Sequence, residues 1–464
     1  MPPYLHDVYR DLKGLKNRSL NCCNSSITLT VTRCHKMMYE TIPSELLCEI
    51  FQLLCDKPIS LHILENSSCF GEFPWAVGQV CKRWREVFLS YPHLWTSLSL
   101  RYHGYSTEVS VDGLHEMSRR TLLYLERSKQ LPLTITVGTS KYDGTSNSME
   151  NFPRTTWRLL LSCSERWERA DLALCCEPNF FDLLRCKMSI IKSLRFHVES
   201  IHEQDFEVYY PFITAAPRLV ELELLGWYEA WAFPWSQLTK VNISLTNGGF
   251  IFSTRLEKLF SQLPNVKELR MGKVDLFPRN DLRDKGSASH IRIASLQLLA
   301  VPIYPVGILT RMEAPLLEHL WVDGYPVYSK KRSRSLIFIE ELSFFIRRSS
   351  CHIRRLTLQN SEWRLLSSLM KLLSSVEELC IKTTSAGRGS FLVEHITQMN
   401  DGVCLPNLRE LEVTCLRGRG DDEKLMTAMS RLLETRRAES RLKSVSREDV
   451  PLEPASVRIS MSFK

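Results

Sequence analysis

The chain has 464 residues, 44% of them hydrophobic, and a formal net charge of +8. This length exceeds that of one ordinary domain, and the apolar content excludes a globally disordered chain. The positive charge is a small excess for the length, and a nucleic-acid-binding protein would need to concentrate it locally.

Several other classes of protein are also excluded. No run reaches the roughly 18 apolar residues of a membrane span, and the N-terminal MPPYLHDVYRDLKG lacks the apolar core of a signal peptide. The fifteen cysteines form no CxxC pair and no Cys/His set at zinc spacing, which favours reduced, packed thiols and predicts no metal site. We therefore expect a cytoplasmic or nuclear protein without a membrane association.

Residues 1–39 show no hydrophobic periodicity and hold six Lys/Arg against two Asp. We interpret them as a basic, poorly ordered tail. Contact of this tail with an acidic partner is the alternative interpretation.

The first periodic segment is TIPSELLCEIFQLL, which starts at residue 41. Pro43 suits the first turn of a helix, and apolar residues follow at helical spacing. They form two adjacent stripes, one with Leu46, Ile50 and Leu53 and the other with Leu47, Phe51 and Leu54. We expect one stripe to pack on the next helix and the other to seek a partner. The alternative is that the rest of the chain buries both.

A second helix is predicted in AVGQVCKRWREVFL, with Val80, Cys81 and Trp84 among its apolar positions. The segment before it, about 56–74, is irregular, and SLHILENSSCF within it is compatible with a further short helix. Pro92 ends the second helix, and Leu98 and Leu100 then alternate as in a strand.

The remainder of the chain repeats the pattern apolar-x-x-apolar-x-apolar. Matches start at residues 191, 219, 238, 266, 293, 317, 353, 376 and 408, with looser ones at 95 and 167. Helix-like segments such as FIEELSFFIRRSS and WRLLSSLMKLLSS lie between them, and ASVRISMSF alternates like a final strand. One short strand per unit predicts an α/β fold, a curved leucine-rich-repeat-like solenoid with a parallel sheet. A different α/β fold with recurrent βα units is the alternative.

In such strands the residues between the apolar positions point away from the core, to the concave face. These residues are mixed in charge, which favours a peptide or protein ligand over nucleic acid. In the unit at 293 the same count selects Ser295 and Gln297. Trp321 is the most plausible anchor, because tryptophan is enriched in binding hot spots. The candidate target-binding residues are Arg195, Glu223, Arg270, His319, Trp321 and Arg355.

IPSELLCEIFQLL followed by VGQVCKRWREVFLSYPHLW resembles an F-box-like motif. That family has a proline with a leucine-rich first helix, then a Val-Cys-(Arg/Lys)-x-Trp helix, then a proline and Leu-Trp. With degenerate leucine-rich repeats after it, the chain resembles the expanded F-box families of mushroom-forming fungi. The segment between the two helices is longer here than in a compact F-box.

The resemblance implies three regions: the tail 1–39, an F-box-like domain 40–100 with an insertion at about 56–74, and a repeat domain 101–464. It also implies binding to the Skp adaptor of a cullin-RING ubiquitin ligase, and through Skp to a cullin. The residues it assigns to Skp binding are Ile42, Pro43, Leu46, Leu47, Ile50, Phe51, Val80, Cys81 and Trp84.

No nucleotide-binding, hydrolase or zinc-protease motif occurs, so we expect no catalytic residues and no cofactor. The expected function is a substrate-recognition adaptor of an SCF-type ubiquitin ligase that binds an unknown protein target. The alternative is a leucine-rich-repeat scaffold unrelated to ubiquitin, in which the first helices only cap the array. Exposure of Leu47, Phe51 and Trp84 favours the first function, and their burial against the repeats favours the second.

Overall fold

The chain forms a mixed helix and strand fold with extensive parallel strand pairing. It divides into two compact units, one containing most of the chain up to Leu219 and the other most of the chain from Val220 on. The computed structural model describes residues 42–54, 59–63, 75–102, 111–139, 154–174, 187–198, 216–225, 233–244, 250–251, 258–272, 275–276, 290–302, 309–324, 333–359, 363–383, 405, 407–415, 427, 430–432, 434–435 and 458–463.

The first unit has helices and parallel strands. Its helices are α1 Ser44–Leu54, α2 Lys82–Ser90, α3 Val111–Arg127 and α4 Arg154–Ser162. Its strands are β1 Ile59–Ile63, β2 Ser97–Tyr102, β3 Leu133–Thr139, β4 Trp167–Leu174 and β5 Ser193–Val198. These strands pair in chain order, each parallel to the next.

The second predicted helix is shorter than its apolar pattern suggests. A 3-10 turn covers Trp75–Gln79, and α2 begins only at Lys82. The break lies at Cys81, whose backbone is extended and whose Sγ accepts a hydrogen bond from the Trp84 amide at 3.4 Å. This capping satisfies an N–H that has no partner inside the helix, so a new helix starts here.

The irregular segment between the helices contains a strand. The alternative of a further helix in SLHILENSSCF is wrong for residues 60–63, because β1 pairs with β2 in parallel, with Leu61 opposite Leu100. The alternation in ISLHI covers only five residues and does not by itself distinguish the two structures, so the pairing with the edge of β2 decides.

The second unit contains the longer run of strands. Its helices are α5 Ser333–Ser349 and α6 Trp363–Leu372, as predicted. Its strands are β6 Glu221–Leu225, β7 Lys240–Ser244, β8 Phe250–Ile251, β9 Glu268–Met271, β10 Asp275–Leu276, β11 Ile291–Arg292, β12 Leu298–Pro302, β13 Met312–Glu313, β14 His319–Asp323, β15 Arg355–Gln359, β16 Glu378–Thr383, β17 Glu410–Cys415 and β18 Arg458–Phe463.

Within the described residues, the main sheet of this unit has the order β6-β7-β9-β12-β14-β15-β16-β17-β18, and every neighbouring pair is parallel. Two short parallel pairs, β8 with β10 and β11 with β13, lie outside it. The predicted α/β class with a parallel sheet is therefore confirmed, as is the final strand β18.

The three apolar positions of the repeat form the core under each strand. In the unit of β14, Leu317, Leu320 and Val322 are all buried, and Leu320 lies opposite buried Leu356 on β15. The looser repeat match at residue 95, in the first unit, also has its three apolar positions buried, at Trp95, Leu98 and Leu100. Each strand thus covers its neighbour's apolar residues, which one unit alone would leave in water.

One repeat is shifted from its predicted phase. The unit placed at residue 293 has its buried positions at Leu296, Leu299 and Val301, three residues later. The strand residues on the outer face are consequently Leu298 and Ala300, and the assignment of Ser295 and Gln297 is wrong. LQLLAV fits the apolar pattern as well as IASLQL does, and the pairing of Leu299 with Leu320 selects between them.

Leu320 and Leu316 provide a matched test of this core. Leu320 is fully buried, whereas Leu316 is 57% exposed. We expect Leu320→Ala to lower the free energy of unfolding by about 2–5 kcal/mol, because it leaves a cavity under the sheet. Leu316→Ala should change it by less than about 0.5 kcal/mol. Urea denaturation followed by circular dichroism measures both, and equal effects would contradict the assigned phase.

Candidate functional site

The two N-terminal helices are held together by aromatic packing. Phe51 of α1 meets Trp84 of α2 edge to face, with ring centroids 5.2 Å apart, and Leu47 is buried on the same side of α1. Arg83 donates to the carbonyl oxygen of Ile42 at 2.5 Å, and the Tyr91 hydroxyl donates to Gln52 Oε1 at 3.3 Å. These contacts at both ends of α1 fix its orientation on α2.

The sequence predicts a partner surface for all nine N-terminal candidates, but the structure assigns three of them to the interior. Leu47, Phe51 and Trp84 are at most 1% exposed. They are buried among the helices of the first unit, as the Phe51–Trp84 contact shows. The expectation that these side chains themselves touch a partner is corrected, because each of them is already enclosed by its own chain.

The other stripe of α1 remains accessible. Leu46 and Ile50 are half-buried, and Leu53, one turn further along, is 47% exposed. We call Leu46, Ile50 and Leu53 the α1 stripe. Exposed carboxylate residues Glu45 and Glu49 flank it. The helical spacing therefore presents an apolar row with a polar border, which is the usual composition of a protein interface.

The remaining N-terminal candidates lie around the ends of the helices. Pro43 is exposed and Ile42 is half-buried at the start of α1. Val80 is 50% exposed just before α2, and half-buried Cys81 caps that helix. Of these four, Pro43 and Val80 are the exposed ones.

The second candidate site lies on the outer side of the strands of the second unit. Four of the six predicted target-binding residues meet there: Arg270, His319, Trp321 and Arg355. Together with Lys382, which the sequence reasoning did not select, we call them the Trp321 cluster. The sequence prediction covers the first two outward positions of each strand, and Lys382 occupies the third outward position of β16.

Two cations approach the indole ring of Trp321. The Arg270 guanidinium carbon is 5.0 Å from the ring centroid, and the Lys382 ammonium is 5.6 Å from it. Arg270 lies on β9, and the strand between it and β14 carries Ala300 at the same level. Because alanine is small, the arginine side chain extends across that strand to the ring. Each such cation–π contact is worth about 0.5–1 kcal/mol at an exposed site.

His319 lies on β14 two residues before Trp321 and belongs to the same cluster. Its Nε2 lies 3.0 Å from Thr357 Oγ1 on the neighbouring strand β15. Burial, followed by the charges of Arg355 and Arg270, lowers the pKa of His319 to about 4. The imidazole is therefore neutral near pH 7 and adds no charge beside Trp321.

Carboxylates neutralise part of this positive charge. Arg355 forms an ion pair with Glu378 on β16. Glu268 lies 3.4 Å from Lys240 Nζ and 3.9 Å from Arg270 Nη2, so Lys240 is its closer partner. Among the described residues, the outer face near Trp321 thus carries the ion pairs Arg355–Glu378 and Lys240–Glu268 beside the indole.

Two predicted target-binding residues do not join the cluster. Arg195 belongs to the first unit, where Asp171 Oδ2 lies 3.7 Å from its Nη1. Glu223 is on β6, four strands from β14 in the sheet order. At about 4.8 Å per strand it lies roughly 19 Å from Trp321, beyond direct contact.

The described residues near the cluster hold no activated nucleophile. Cys380 Sγ donates to Glu412 Oε2 at 3.3 Å, and burial together with this carboxylate raises the pKa of the Cys380 thiol to about 11. A thiol at neutral pH is a poor nucleophile. In the part of the chain that the structure describes, no group of three His, Cys, Asp or Glu is placed to hold a metal ion, and no helix is long and apolar enough to cross a bilayer.

Comparison with known proteins leaves the family open. No protein-family model matches the sequence, and no curated protein matches it. Among solved structures, a chain in the crystal structure of the Rad7 and Elc1 complex in yeast is similar, with a TM-score of 0.33 and 14% identity. The alignment covers 84% of this chain and 94% of that one. A similarity this distant carries no functional argument, so the F-box resemblance remains an expectation from sequence.

The low pKa of His319 predicts a pH-dependent stability. Below pH 6.5 the unfolded chain binds a proton at this residue, whereas the folded chain does so only near pH 4. The free energy of unfolding should therefore decrease as the pH falls from 6.5 to about 4. Above pH 6.5 the histidine is neutral in both states, so it should cause no change with pH there. His319→Gln retains a hydrogen-bonding group but cannot take up the proton, so its urea midpoint should fall less over the same pH range. An identical pH dependence in both proteins would contradict the prediction.

Proposed function

We propose that this protein is a non-catalytic substrate adaptor. In this proposal the N-terminal helices are an F-box-like module that binds a Skp-type adaptor, and through it a cullin-RING ubiquitin ligase. The second unit is a leucine-rich-repeat-like solenoid whose outer strand face binds a target protein. The adaptor would act in the cytoplasm or nucleus and raise the concentration of its target beside a ubiquitin-charged enzyme, which is catalysis by proximity in another subunit.

The observation that carries the proposal is the α1 stripe. Covering an apolar row that is partly exposed to water lowers the free energy, which favours binding of a partner at the α1 stripe. The contact between Phe51 and Trp84 orders α1 before binding, so a partner does not have to pay for ordering this helix.

The predicted Skp-binding residues then have two kinds of role. Leu46, Ile50 and Val80 would contact the adaptor directly, together with Leu53, which the sequence places in the same stripe. Ile42 and Pro43 would contact it at the start of α1. The buried residues and Cys81 would act indirectly, because they hold α1 and α2 in position.

One observation favours the scaffold alternative. Trp95, the first apolar residue of the β2 unit, packs on Phe88 of α2 and on Tyr124 of α3, with ring centroids 5.0 Å and 4.7 Å away. The N-terminal helices thus cover apolar residues at the start of the strands, as a cap does. A cap explains the buried side of these helices but not the exposed α1 stripe, which is why we prefer the adaptor function.

The test is capture of purified Skp-type adaptor by the full chain. We expect wild type to bind it and Leu46→Asp/Leu53→Asp to lose at least about tenfold in affinity, because two carboxylates would be buried in an apolar contact. Isothermal titration calorimetry measures the affinity, and circular dichroism checks the fold. Leu47→Asp is unsuitable, because it places a charge in the core and tests folding instead.

Leu122→Asp is the matched control for this experiment. Leu122 is 44% exposed on α3 of the same unit, close to the 47% of Leu53. The control should retain wild-type affinity. If folded wild type does not bind the adaptor, or if the control loses binding equally, the adaptor function is rejected and the scaffold function is preferred.

A further inference from the structure

The Trp321 cluster contains two cations whose hydrogen-bonding capacity is largely unused. Among the described residues, Lys382 has no carboxylate within ion-pair distance, and the nearest carboxylate to Arg270 is Glu268 at 3.9 Å, which is shared with Lys240. A guanidinium carries five N–H donors and an ammonium three. Both groups are thus available to an incoming anion.

The local charge also favours an anion. At His319 the two cations Arg355 and Arg270 outweigh the carboxylates Glu378 and Glu268 in their effect on the imidazole pKa. The charges around the imidazole of His319 are therefore net positive, and Arg270 and Lys382 place further positive charge against the ring of Trp321. A carboxylate placed there would gain attraction from both sides of Trp321.

Contact with the indole of Trp321 restricts the positions of the two cations before a ligand binds. Arg270 and Lys382 reach the same ring from strands on opposite sides of β14. Long basic side chains normally lose rotamer entropy when they bind, and contact with the ring has already restricted them. Trp321 is in this sense a positioning residue for the cations rather than only an apolar anchor.

We propose that the Trp321 cluster binds an extended acidic segment of the target protein, with carboxylates at alternate positions received by Arg270 and Lys382. This inference rests on the part of the proposed function that assigns target binding to the second unit. Alternate side chains of an extended chain lie on one side, about 7 Å apart. The two cations cannot be further apart than the sum of their distances to the ring centroid, 5.0 Å and 5.6 Å, and a spacing of about 7 Å lies within this limit.

The experiment uses a fluorescein-labelled peptide with aspartate at every second position, and a matched peptide with asparagine instead. Fluorescence anisotropy with the full chain should show binding of the aspartate peptide and at least about tenfold weaker binding of the asparagine peptide. Binding should weaken as salt is raised, because the attraction is between exposed charges. Equal binding of both peptides, or no binding of the aspartate peptide, would overturn the inference.

Variants locate the binding on the cluster. Arg270→Gln and Lys382→Gln should each weaken binding of the aspartate peptide by about fivefold to tenfold, and Lys382→Arg should restore most of it. Lys371→Gln removes the same charge from an exposed position on α6 and should change affinity by less than about twofold. An equal loss in the Lys371 and Lys382 variants would show non-specific attraction and reject the site.

Two further comparisons distinguish carboxylate recognition from phosphate recognition, and the acidic-segment site from the adaptor function. A phosphoserine peptide that binds where the aspartate peptide does not would reject recognition of carboxylates. Peptide binding and capture of the Skp-type adaptor are measured on the same preparation. Specific peptide binding without adaptor capture would retain the acidic-segment site and reject the adaptor function, whereas adaptor capture without peptide binding would reject only the acidic-segment site.

Discussion

The pairing of each strand with the next one in parallel is the constraint on which the second unit depends. A single repeat has three apolar positions, and it cannot cover them without the strands on either side. Leu320 is buried because Leu299 and Leu356 lie opposite it on the strands to either side. The same pairing satisfies the backbone of every inner strand, so core packing and hydrogen bonding require the same register.

This register also determines the outer face. Once the apolar residues point inward, the residues between them point outward in rows, one strand spacing apart. Glutamates and lysines in these rows pair across strands, as Lys240 does with Glu221 and Glu268. Trp321 interrupts this arrangement, and its neighbours Ala300 and Thr357 are short enough for more distant cations to reach its ring. Charge and aromatic area are thus both available at Trp321.

The N-terminal helices show the same division between inner and outer residues on a smaller scale. Phe51 and Trp84 fill the space between α1 and α2, and Trp95 continues this core towards α3. The α1 stripe faces the other way. One short helix therefore carries both the packing that fixes its position and the apolar row assigned to a partner. The proposed adaptor function depends on the second property, and a capping function depends only on the first.

The sequence by itself determined the elements with a strong period. The apolar pattern predicted α5, α6 and most strands, because side chains that must be buried recur at the spacing of the structure that buries them. It did not decide between two equally apolar phases in β12, and it missed β3, where the register shifts between Leu133 and Thr134. Leu46 and Leu47 are the same residue type on one helix, and only the packing of that helix in the folded chain makes the second one core. Likewise, Arg270 and Lys382 are far apart in the chain, and only the sheet order brings both to Trp321. Periodicity records which residues avoid water, whereas the identity of their neighbours is a property of the packed chain.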